Sequence, residues 1–400
     1  MMPAPLLYPK SLNAVSYRLS CQFDHVIISQ MQYKRLVIKL GTNLLTRGSG
    51  RLNIDIMSNL TAQVAQLHRE GHEIVIVSSG AVAAGRQKLG LPREKRGIPF
   101  KQVLAAVGQS QLMNIYDELF SKHGIVIAQA LLTKSDLIDR SGYLNARNTL
   151  LALLELGVIC IINENDVVAT EELGGLVFGD NDNLSAMVAN LTDADLLAIL
   201  TDIDGLYTAD PRRYPDAKLV PKVEKIDAEI ERLAGDAGSP YGVGGMITKI
   251  EAAKLATASG VTVVIANGTK PDILRKIASG QQAGTIFLPR TTKLESRKRW
   301  MLSGLASKGK LVIDEGAVIA LKNKGGSLLP AGIIEVDGDF QRGDVIDIFD
   351  VDGNHVGCGI ANYDSKDIEK IKGMHSEEIP IRLGYEYGDE VIHRNNMVLI

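Results

Sequence analysis

The chain has 400 residues, of which 45% are hydrophobic and 23% are charged, a composition typical of globular proteins. No apolar run approaches the ~18 residues that a membrane-spanning helix needs. The cysteines Cys21, Cys160 and Cys358 lie too far apart for a zinc site or a disulfide framework, which favours a reducing compartment.

The charge is unevenly distributed along the chain. The formal net charge is −3, but residues 309–400 contain 9 basic and 17 acidic side chains and residues 1–308 contain 35 and 30. A composition step of this kind predicts a domain boundary near Ser307–Lys310. Since affinity for nucleic acid comes largely from lysine and arginine, the acidic C-terminal part is a poor candidate for RNA binding.

The first 30 residues lack both the zones of a secretory signal and any periodicity. We expect the functional chain to start at Met31, just before the first predicted strand, with an organellar transit peptide as the alternative. The predicted organisation is an N-terminal extension (1–33) that is disordered or not native, a catalytic domain (34–292), a linker (293–308) and a C-terminal domain (309–400).

Short β-branched runs alternate with longer amphipathic stretches after Arg35. This alternation predicts an α/β fold, with an open, mainly parallel sheet and helices on both faces. The predicted strands are Leu36–Leu40, Ile74–Val77, Ile125–Ala130, Val158–Ile162, Leu196–Leu200 and Val261–Ile265. The predicted helices are Ile54–Arg69, Gln102–Lys122, Tyr143–Glu155, Leu184–Leu191 and Met246–Ser259.

The sequence pattern changes after Gly309. The stretches KLVIDEGAVIAL, GDVIDIFD and HVGCGIA are predicted to be short strands separated by Gly, Asp and Asn turns. A small, mostly β domain is therefore expected at the C-terminus. Before it, the segment Lys293–Arg299 is a basic linker that precedes Trp300.

Polar and glycine-rich segments follow the predicted strands, at the edge where ligands bind in such sheets. Lys39 ends the first strand and is followed by Gly41 and Thr42; this lysine is either a snorkelling edge residue or a cation directed into the crevice. In VSSGAVAAG, Ser79 and Gly80 open a helix, so that backbone N–H groups can meet an anion, although tight packing would also explain the small residues.

Polar or glycine-rich segments also follow the later predicted strands. INENDVVAT places Asp166 after the fourth strand, although a simple polar turn is the alternative there. Thr201 and Asp202 follow the fifth strand, and turn chemistry explains the Asp204-Gly205 pair behind them. GVGGMITK opens a long helix, and Gly244 and Gly245 permit close approach to phosphate. Lys249 comes one turn into that helix, where the helix dipole disfavours a cation, which indicates a bound anion.

The segment FGDNDNLSAMVA concentrates two carboxylates and two amides, Asp180 to Asn183, at one helix start. One residue would be enough for a cap. An EF-hand is rejected because Ser185 and Leu191 stand where a glycine and a glutamate are needed. Neither a GxxxxGK[ST] loop nor a GxGxxG after a strand is present.

One edge of the sheet is thus predicted to contain two lysines, two glycine-rich segments that can bind anions, and a group of acids. This combination indicates phosphoryl transfer with Mg²⁺ on the nucleotide. Asp182, held between Lys39 and Lys249, would fix both lysines and offset their repulsion. These loops contain no histidine. A carboxylate acceptor is already deprotonated at neutral pH, so the absence of a base favours an acid as substrate and an acyl phosphate as product.

Eight motifs, in order, resemble the glutamate 5-kinases, a branch of the amino acid kinase family, and the acidic C-terminal part resembles a PUA domain. The motifs are KLGTNLLT, IVSSGAVAAG, KQVLAAVGQSQLM, LNARNTL, INENDVVAT, FGDNDNLSA, LLTDIDGLYTADPR and GGMITK. The resemblance implies ATP-dependent phosphorylation of the L-glutamate side-chain carboxylate to L-glutamyl 5-phosphate, the first step of proline biosynthesis. It also implies Mg²⁺, a cytoplasmic homo-oligomer, feedback inhibition by proline and delivery of the product to glutamyl phosphate reductase.

The resemblance also implies roles for individual residues. Lys39 and Lys249 would stabilise the transferred phosphoryl group, with Asp182 organising both. Glutamate would be bound by Ser79, Asp166 and Asn181, and Asp180 would assist with Mg²⁺. The ATP-binding residues would be Lys39, Thr201, Asp202 and the segment Val243, Gly244, Gly245, Met246, Ile247, Thr248 and Lys249.

The chain departs from the family pattern at two places. Val243 stands where the family often has a threonine, which removes a hydroxyl contact and leaves the backbone cradle. The loop Glu171–Phe178 is a few residues longer than usual, near the glutamate site of the family. The alternatives to a glutamate kinase are another acyl-phosphate-forming kinase of the same fold, acting on acetylglutamate or aspartate, and an RNA-binding or RNA-modifying PUA protein.

Overall fold

The computed structural model describes residues 33–91, 98–169, 181–235, 245–290, 292 and 307–400. Several features of the sequence lie outside these residues. They are the chain start at Met31, the 171–178 loop, Asp180, Val243, Gly244 and the basic stretch 293–299 with Trp300.

An eight-stranded sheet forms the centre of the N-terminal two thirds, in the order β3-β4-β2-β1-β5-β7-β8-β6. All neighbours are parallel except β7 and β8. The strands are β1 Arg35–Leu40, β2 Glu73–Ser78, β3 Ile127–Leu132, β4 Ile159–Glu164, β5 Leu196–Thr201, β6 Lys222–Val223, β7 Thr262–Asn267 and β8 Thr285–Phe287. The mainly parallel sheet confirms the predicted fold class, and all six predicted strands are present.

Helices cover both faces of this sheet, as predicted. They are α1 Thr42–Thr46, α2 Ile54–Arg69, α3 Ala81–Leu89, α4 Ile98–Ser121, α5 Lys134–Ile138, α6 Arg140–Glu155, α7 Asn181–Leu191, α8 Ala228–Gly235, α9 Met246–Ala258 and α10 Ile273–Ala278. Of the predicted helices, α2 has the expected bounds, while α4, α6 and α7 begin three or four residues earlier than the apolar periodicity indicated. The first turns of α6 and α7 are more polar than the periodic part; in α6, Asp139 accepts a hydrogen bond from the Gly142 N–H at 2.8 Å.

The central strands are buried because each has a hydrophobic core on both sides. Along β1, Leu36, Ile38 and Leu40 pack into one core and Val37 into the other. Side chains alternate along a strand, so Lys39 faces the same side as Val37. That side is covered by α7 and α9, whose apolar residues belong to the same core as Val37.

A second, five-stranded sheet forms the C-terminal part, in the order β10-β9-β11-β12-β13. Its strands are β9 Gly309–Ile313, β10 Ile333–Gly338, β11 Val345–Asp350, β12 His355–Ile360 and β13 Met397–Leu399, and its helices are α11 Glu315–Lys324, α12 Ser365–Ile371 and α13 Ile379–Leu383. The mostly β architecture is as predicted.

The prediction that KLVIDEGAVIAL is all strand is wrong after Ile313. Residues Glu315–Lys324 form α11, since the Asp314 side chain accepts a hydrogen bond from the Ala317 N–H at 2.7 Å and caps the helix. The helix ends at Gly325, whose φ of 59° favours glycine. Apolar β-branched residues alone do not distinguish a short buried strand from a helix, and the capping aspartate decides between them here.

The second sheet packs against α6. Leu144 of that helix lies in a small core with Val345, Cys358, Ile360 and Val398. Residues Tyr33–Ile400 form one compact unit. Among the described residues, no helix is both long enough and apolar enough to cross a bilayer.

Arg147 on α6 joins this packing to the end of α7. Its side chain is 3% exposed and donates to Asp193 at 2.6 Å, to the Asn396 side chain at 2.7 Å and to the Asn395 carbonyl at 2.8 Å. It also donates to the carbonyl of Leu191, the last residue of α7. One guanidinium therefore satisfies four acceptors from two parts of the chain.

We predict that Arg147→Met lowers the free energy of unfolding by about 3 kcal/mol, because the four acceptors would lose a charged donor. Urea denaturation followed by circular dichroism measures this change. The exposed arginine at the end of α2 provides the control, since Arg69→Met should change stability by less than about 0.5 kcal/mol. Equal effects of the two substitutions would contradict the role given to Arg147.

Candidate active site

The polar segments predicted to meet at one edge of the sheet do meet there. Strands β2, β1 and β5 are neighbours, and all three run in the same direction. Backbone hydrogen bonds join the residues beyond their ends, from the Ser79 N–H to the Leu40 carbonyl at 3.0 Å and from the Gly41 N–H to the Leu200 carbonyl at 3.2 Å. The site therefore occupies the carboxyl edge of the sheet.

Lys39, Asp182 and Lys249 form a buried ionic cluster at this edge. The ammonium group of Lys39 contacts Asp182 Oδ1, and that of Lys249 lies 3.2 Å from Oδ2. The side chains are 7%, 2% and 7% exposed respectively. Thr248 also donates its hydroxyl to Asp182 Oδ2 at 2.7 Å. The two lysines are 210 residues apart in the chain, and one carboxylate joins them.

Burial by itself would raise the pKa of Asp182. The positive charges of Lys39 and Lys249, with hydrogen bonds from Lys39 and Thr248, outweigh burial and lower this pKa to about 2. Asp182 is therefore ionised at any physiological pH. The three side chains carry a net charge of +1, which an anionic group would offset in a region where water is largely excluded.

The start of α9 adds hydrogen-bond donors next to these lysines. Gly245 is the N-cap residue, and Met246, Ile247 and Thr248 form the first turn, whose N–H groups have no partner within a helix. A Cβ at Gly245 would meet no atom of the described residues within 4 Å. A helix start of this kind favours an anion.

The glycine loops after β1 and β2 differ in the backbone conformation of their glycines. Gly80 precedes α3 with a φ of 111°, a conformation that favours glycine, and a Cβ there would lie 3.1 Å from Leu52. Gly41 has an extended backbone, and a Cβ there would lie 3.6 Å from the Lys39 ammonium. Thr42 begins the short helix α1 and is exposed. Each loop thus leads into a helix start, where the first N–H groups point out of the helix.

Asn181 and Ser79 lie together beside the ionic cluster. Asn181 donates its amide N–H groups to Ser79 Oγ at 3.0 Å and to Asn163 Oδ1 at 3.1 Å. All three residues are at least nine-tenths buried. Asn163, the fifth residue of β4, was missed in the sequence; its place at the end of an apolar strand was the signal.

Asp166 lies in the turn that follows β4 and is only half-buried. Burial raises the pKa of its carboxyl group to about 6, while the charge of Lys101 acts in the opposite direction. Among the described residues, Asp166 makes no side-chain hydrogen bond to Ser79 or Asn181. The structure therefore does not join Asp166 to Ser79 and Asn181.

Thr201 and Asp202 lie at the end of β5, where the Thr201 hydroxyl donates to Asp202 at 3.1 Å. Asp202 also lines a cavity with Asn43, Leu44, Arg47, Gly48 and Thr269. These five residues were not predicted from the sequence. Two features of the sequence could have indicated them. The stretch TNLLTRG directly follows the first glycine loop, and Thr269 follows β7, the neighbour of β5 in the sheet.

The described residues contain no group of three or more histidine, cysteine, aspartate or glutamate side chains that could hold a metal ion. Asp180, predicted as a metal ligand, lies outside these residues, as do Val243 and Gly244 of the predicted ATP site. Of the other predicted site residues, the structure brings Lys39, Asp182, Thr248 and Lys249 into one cluster and Ser79 and Asn181 into another.

Two protein-family models match the chain. The model of the amino acid kinase family matches residues 34–267, and that of the PUA domain matches residues 309–382. A solved structure of UMP kinase from Bacillus anthracis covers 65% of this chain and 97% of its own, with 19% identity and a TM-score of 0.44.

Three relatives are similar over nearly their whole length. Glutamate 5-kinase of Dehalococcoides mccartyi (strain ATCC BAA-2266 / KCTC 15142 / 195) is 59% identical, over 92% of this chain and 99% of its own. The glutamate 5-kinases of Herpetosiphon aurantiacus and Deinococcus radiodurans are 51% and 50% identical, over 92% of this chain and 98% and 100% of theirs. The chain thus belongs to the amino acid kinase family and, within it, to the branch formed by the glutamate 5-kinases.

Proposed function

We propose that this protein transfers the γ-phosphoryl group of ATP to the side-chain carboxylate of L-glutamate, giving L-glutamyl 5-phosphate and ADP. The observation that carries the proposal is the buried pair of lysines held by Asp182 at the carboxyl edge of the sheet. The similarity to glutamate 5-kinases, at 50–59% identity over 92% of the chain, supplies the substrate.

The reaction forms one bond and breaks one. A carboxylate oxygen of glutamate attacks the γ-phosphorus, and the bond between that phosphorus and the β,γ-bridging oxygen breaks, so that ADP leaves with the electron pair. The attacking carboxylate is ionised at neutral pH, so no side chain has to remove a proton. Catalysis then depends on alignment of the two substrates and on stabilisation of the charge on the transferred group.

Lys39 and Lys249 are proposed to supply that stabilisation. Their ammonium groups would approach the transferred phosphoryl group from β1 and from one turn into α9, and each contacts a different oxygen of Asp182. Because Asp182 is ionised and fixed, both lysines keep their positions before substrate arrives, and no reorganisation is needed during the reaction. Thr248, which also donates to Asp182, holds the carboxylate from a third direction.

Glutamate is proposed to bind beside this cluster through Ser79, Asn181 and Asp166. The ionised carboxylate of Asp166 suits the α-ammonium group of an amino acid, and the hydroxyl and amide groups of Ser79 and Asn181 suit its polar ends. ATP is proposed to bind along Thr201, Asp202 and the segment 243–249. The N–H groups at the start of α9 would receive its phosphates.

Mg²⁺ is proposed to arrive with the nucleotide, since it is usually bound through phosphates with only one or two protein carboxylates. Asp180 would contribute a carboxylate. When bound, the ion would offset negative charge on the phosphates.

Family membership supports further proposals that the geometry does not address. They are a cytoplasmic location, a homo-oligomeric assembly, a role in proline biosynthesis with proline as feedback inhibitor, and transfer of the unstable product to glutamyl phosphate reductase. The domain division at residues 293–308 remains our proposal as well.

The substrate is tested by trapping the acyl phosphate with hydroxylamine in the presence of ATP and Mg²⁺. We expect hydroxamate to form with L-glutamate and at least about 100-fold less with L-aspartate or N-acetyl-L-glutamate, because shortening or acylating the substrate leaves polar groups of the site unpaired. Turnover of either alternative with none of glutamate would overturn the proposed substrate.

The two lysines are tested by Lys39→Met and Lys249→Met. Each should lower kcat by about 1,000-fold, because a charged donor to the transferred group is lost. The remaining lysine still pairs with Asp182, so both variants should fold. Lys254→Met is the matched control on α9, where an exposed lysine pairs with Glu231 at 2.6 Å, and its kcat should stay within about two-fold of the wild type. A cluster variant retaining more than a tenth of kcat would exclude that lysine.

The ionisation of Asp166 predicts a pH profile. If the ionised carboxylate binds the substrate ammonium, kcat/KM for glutamate should rise with pH through the pKa of about 6 and level off above it. Asp182, with its pKa of about 2, adds nothing in this range. Lys101 stabilises the ionised form of Asp166, so Lys101→Met should move the rise to higher pH, and Asp166→Asn should abolish it. An unchanged profile in Asp166→Asn would remove Asp166 from the substrate site.

A further inference from the structure

Behind Asn181 lies a relay of hydrogen-bonded side-chain amides, from the buried Asn181 and Asn163 to the half-buried Gln109, that the catalytic roles do not use. Asn181 donates to Asn163 Oδ1 at 3.1 Å, and Asn163 Nδ2 donates to Gln109 Oε1 of α4 at 2.9 Å. The relay therefore runs from α7 through β4 to α4, and its three members come from distant parts of the chain.

Backbone chemistry fixes the direction of every amide in the relay. The N–H of Glu164 can only donate, and it meets Asn163 Oδ1 at 2.9 Å. Asn163 Nδ2 therefore faces Gln109, and Asn181 must present its Nδ2 to Asn163 Oδ1. The same Nδ2 group also donates to Ser79 Oγ at 3.0 Å. Both donors of Asn181 are then used, and its oxygen faces away from the relay.

That oxygen and Gln109 Nε2 are the two relay atoms that have no hydrogen-bond partner among the described residues. Within the described part of the chain, Asn181 Oδ1 is buried and accepts no hydrogen bond. A buried acceptor left unpaired is costly, so its presence beside the ionic cluster indicates a ligand that donates to it. The donor available on an amino acid is its α-ammonium group. The Ser79 hydroxyl, which accepts from Asn181, keeps its own proton free to donate.

Close helix packing holds Gln109 in place. The preceding residue, Gly108, lies against α3, and a Cβ there would come within 1.8 Å of the Ala81 carbonyl. A Cβ at Gly85 of α3 would come within 1.9 Å of the Leu104 carbonyl of α4. Helices α3 and α4 therefore approach at backbone distance, and Gln109 has little freedom to move.

We propose that Gln109 is a positioning residue for the amino-acid substrate: it holds the amide of Asn163, and through it that of Asn181, so that Asn181 Oδ1 faces the substrate ammonium group. The inference rests on the proposed function, since it assumes an amino acid in this site. Gln109 is not among the residues proposed to bind ATP or the transferred phosphoryl group. Its effect therefore falls on glutamate binding alone.

The test is a double-mutant cycle with Gln109→Met and Asn181→Ala. Gln109→Met should raise the KM for glutamate about five-fold, the effect of one lost hydrogen bond, with kcat and the KM for ATP unchanged. Because Gln109 acts through Asn181, the double variant should have a KM within about two-fold of Asn181→Ala alone. Effects that multiply in the double variant, or an unchanged KM in Gln109→Met, would overturn the inference.

Two further variants keep the test interpretable. Gln111→Met is the matched control, the same substitution on the same helix at a side chain that makes no hydrogen bond within the described residues, and it should leave every constant unchanged. Gln109→Asn retains a polar amide that is one methylene too short to reach Asn163, and it should raise KM as Gln109→Met does. If the wild type turns over glutamate and the two Gln109 variants do not differ from it, the inference fails alone; if the wild type does not use glutamate, the proposed function fails.

Discussion

The carboxylate of Asp182 is the constraint on which the site depends. Two ammonium groups packed into a buried space would repel each other strongly, and neither would hold a fixed position without a counter-charge. Asp182 contacts both through different oxygens and is itself held by Thr248. Its lowered pKa keeps it ionised. The cluster still carries one excess positive charge, which prepares it for a phosphoryl group and makes it unfavourable when empty.

Two features of the fold bring this cluster together: the alternation of side chains along β1 and the positions of α7 and α9. Because side chains alternate along β1, Lys39 shares with Val37 the core side that α7 and α9 cover, while Ile38 faces the other core. Asp182 lies in the first turn of α7, and Lys249 is the fourth residue of α9. Arg147 ties the opposite end of α7 to the C-terminal sheet. Helix α7 is thus anchored at both ends, at its start through Asp182 and at its end through the Leu191 carbonyl.

The sequence predicted the parallel sheet, the ligand edge and the residues of the ionic cluster, because apolar runs and polar strand ends are local signals. It did not predict α11, where a single capping aspartate outweighs a β-branched run. The amide relay was also missed, since Gln109 and Asn163 are 54 residues apart and only the packing of α4 on the sheet brings them together. The cavity beside Asp202 depends likewise on contacts between separate loops.

The most direct test of the central claim is a crystal structure with glutamate, Mg²⁺ and a nonhydrolysable ATP analogue. We expect the ammonium groups of Lys39 and Lys249 both to lie within about 3 Å of oxygens on the γ-phosphoryl group, while both remain near Asp182. A structure in which either ammonium group lies beyond about 4 Å from every one of those oxygens would contradict it.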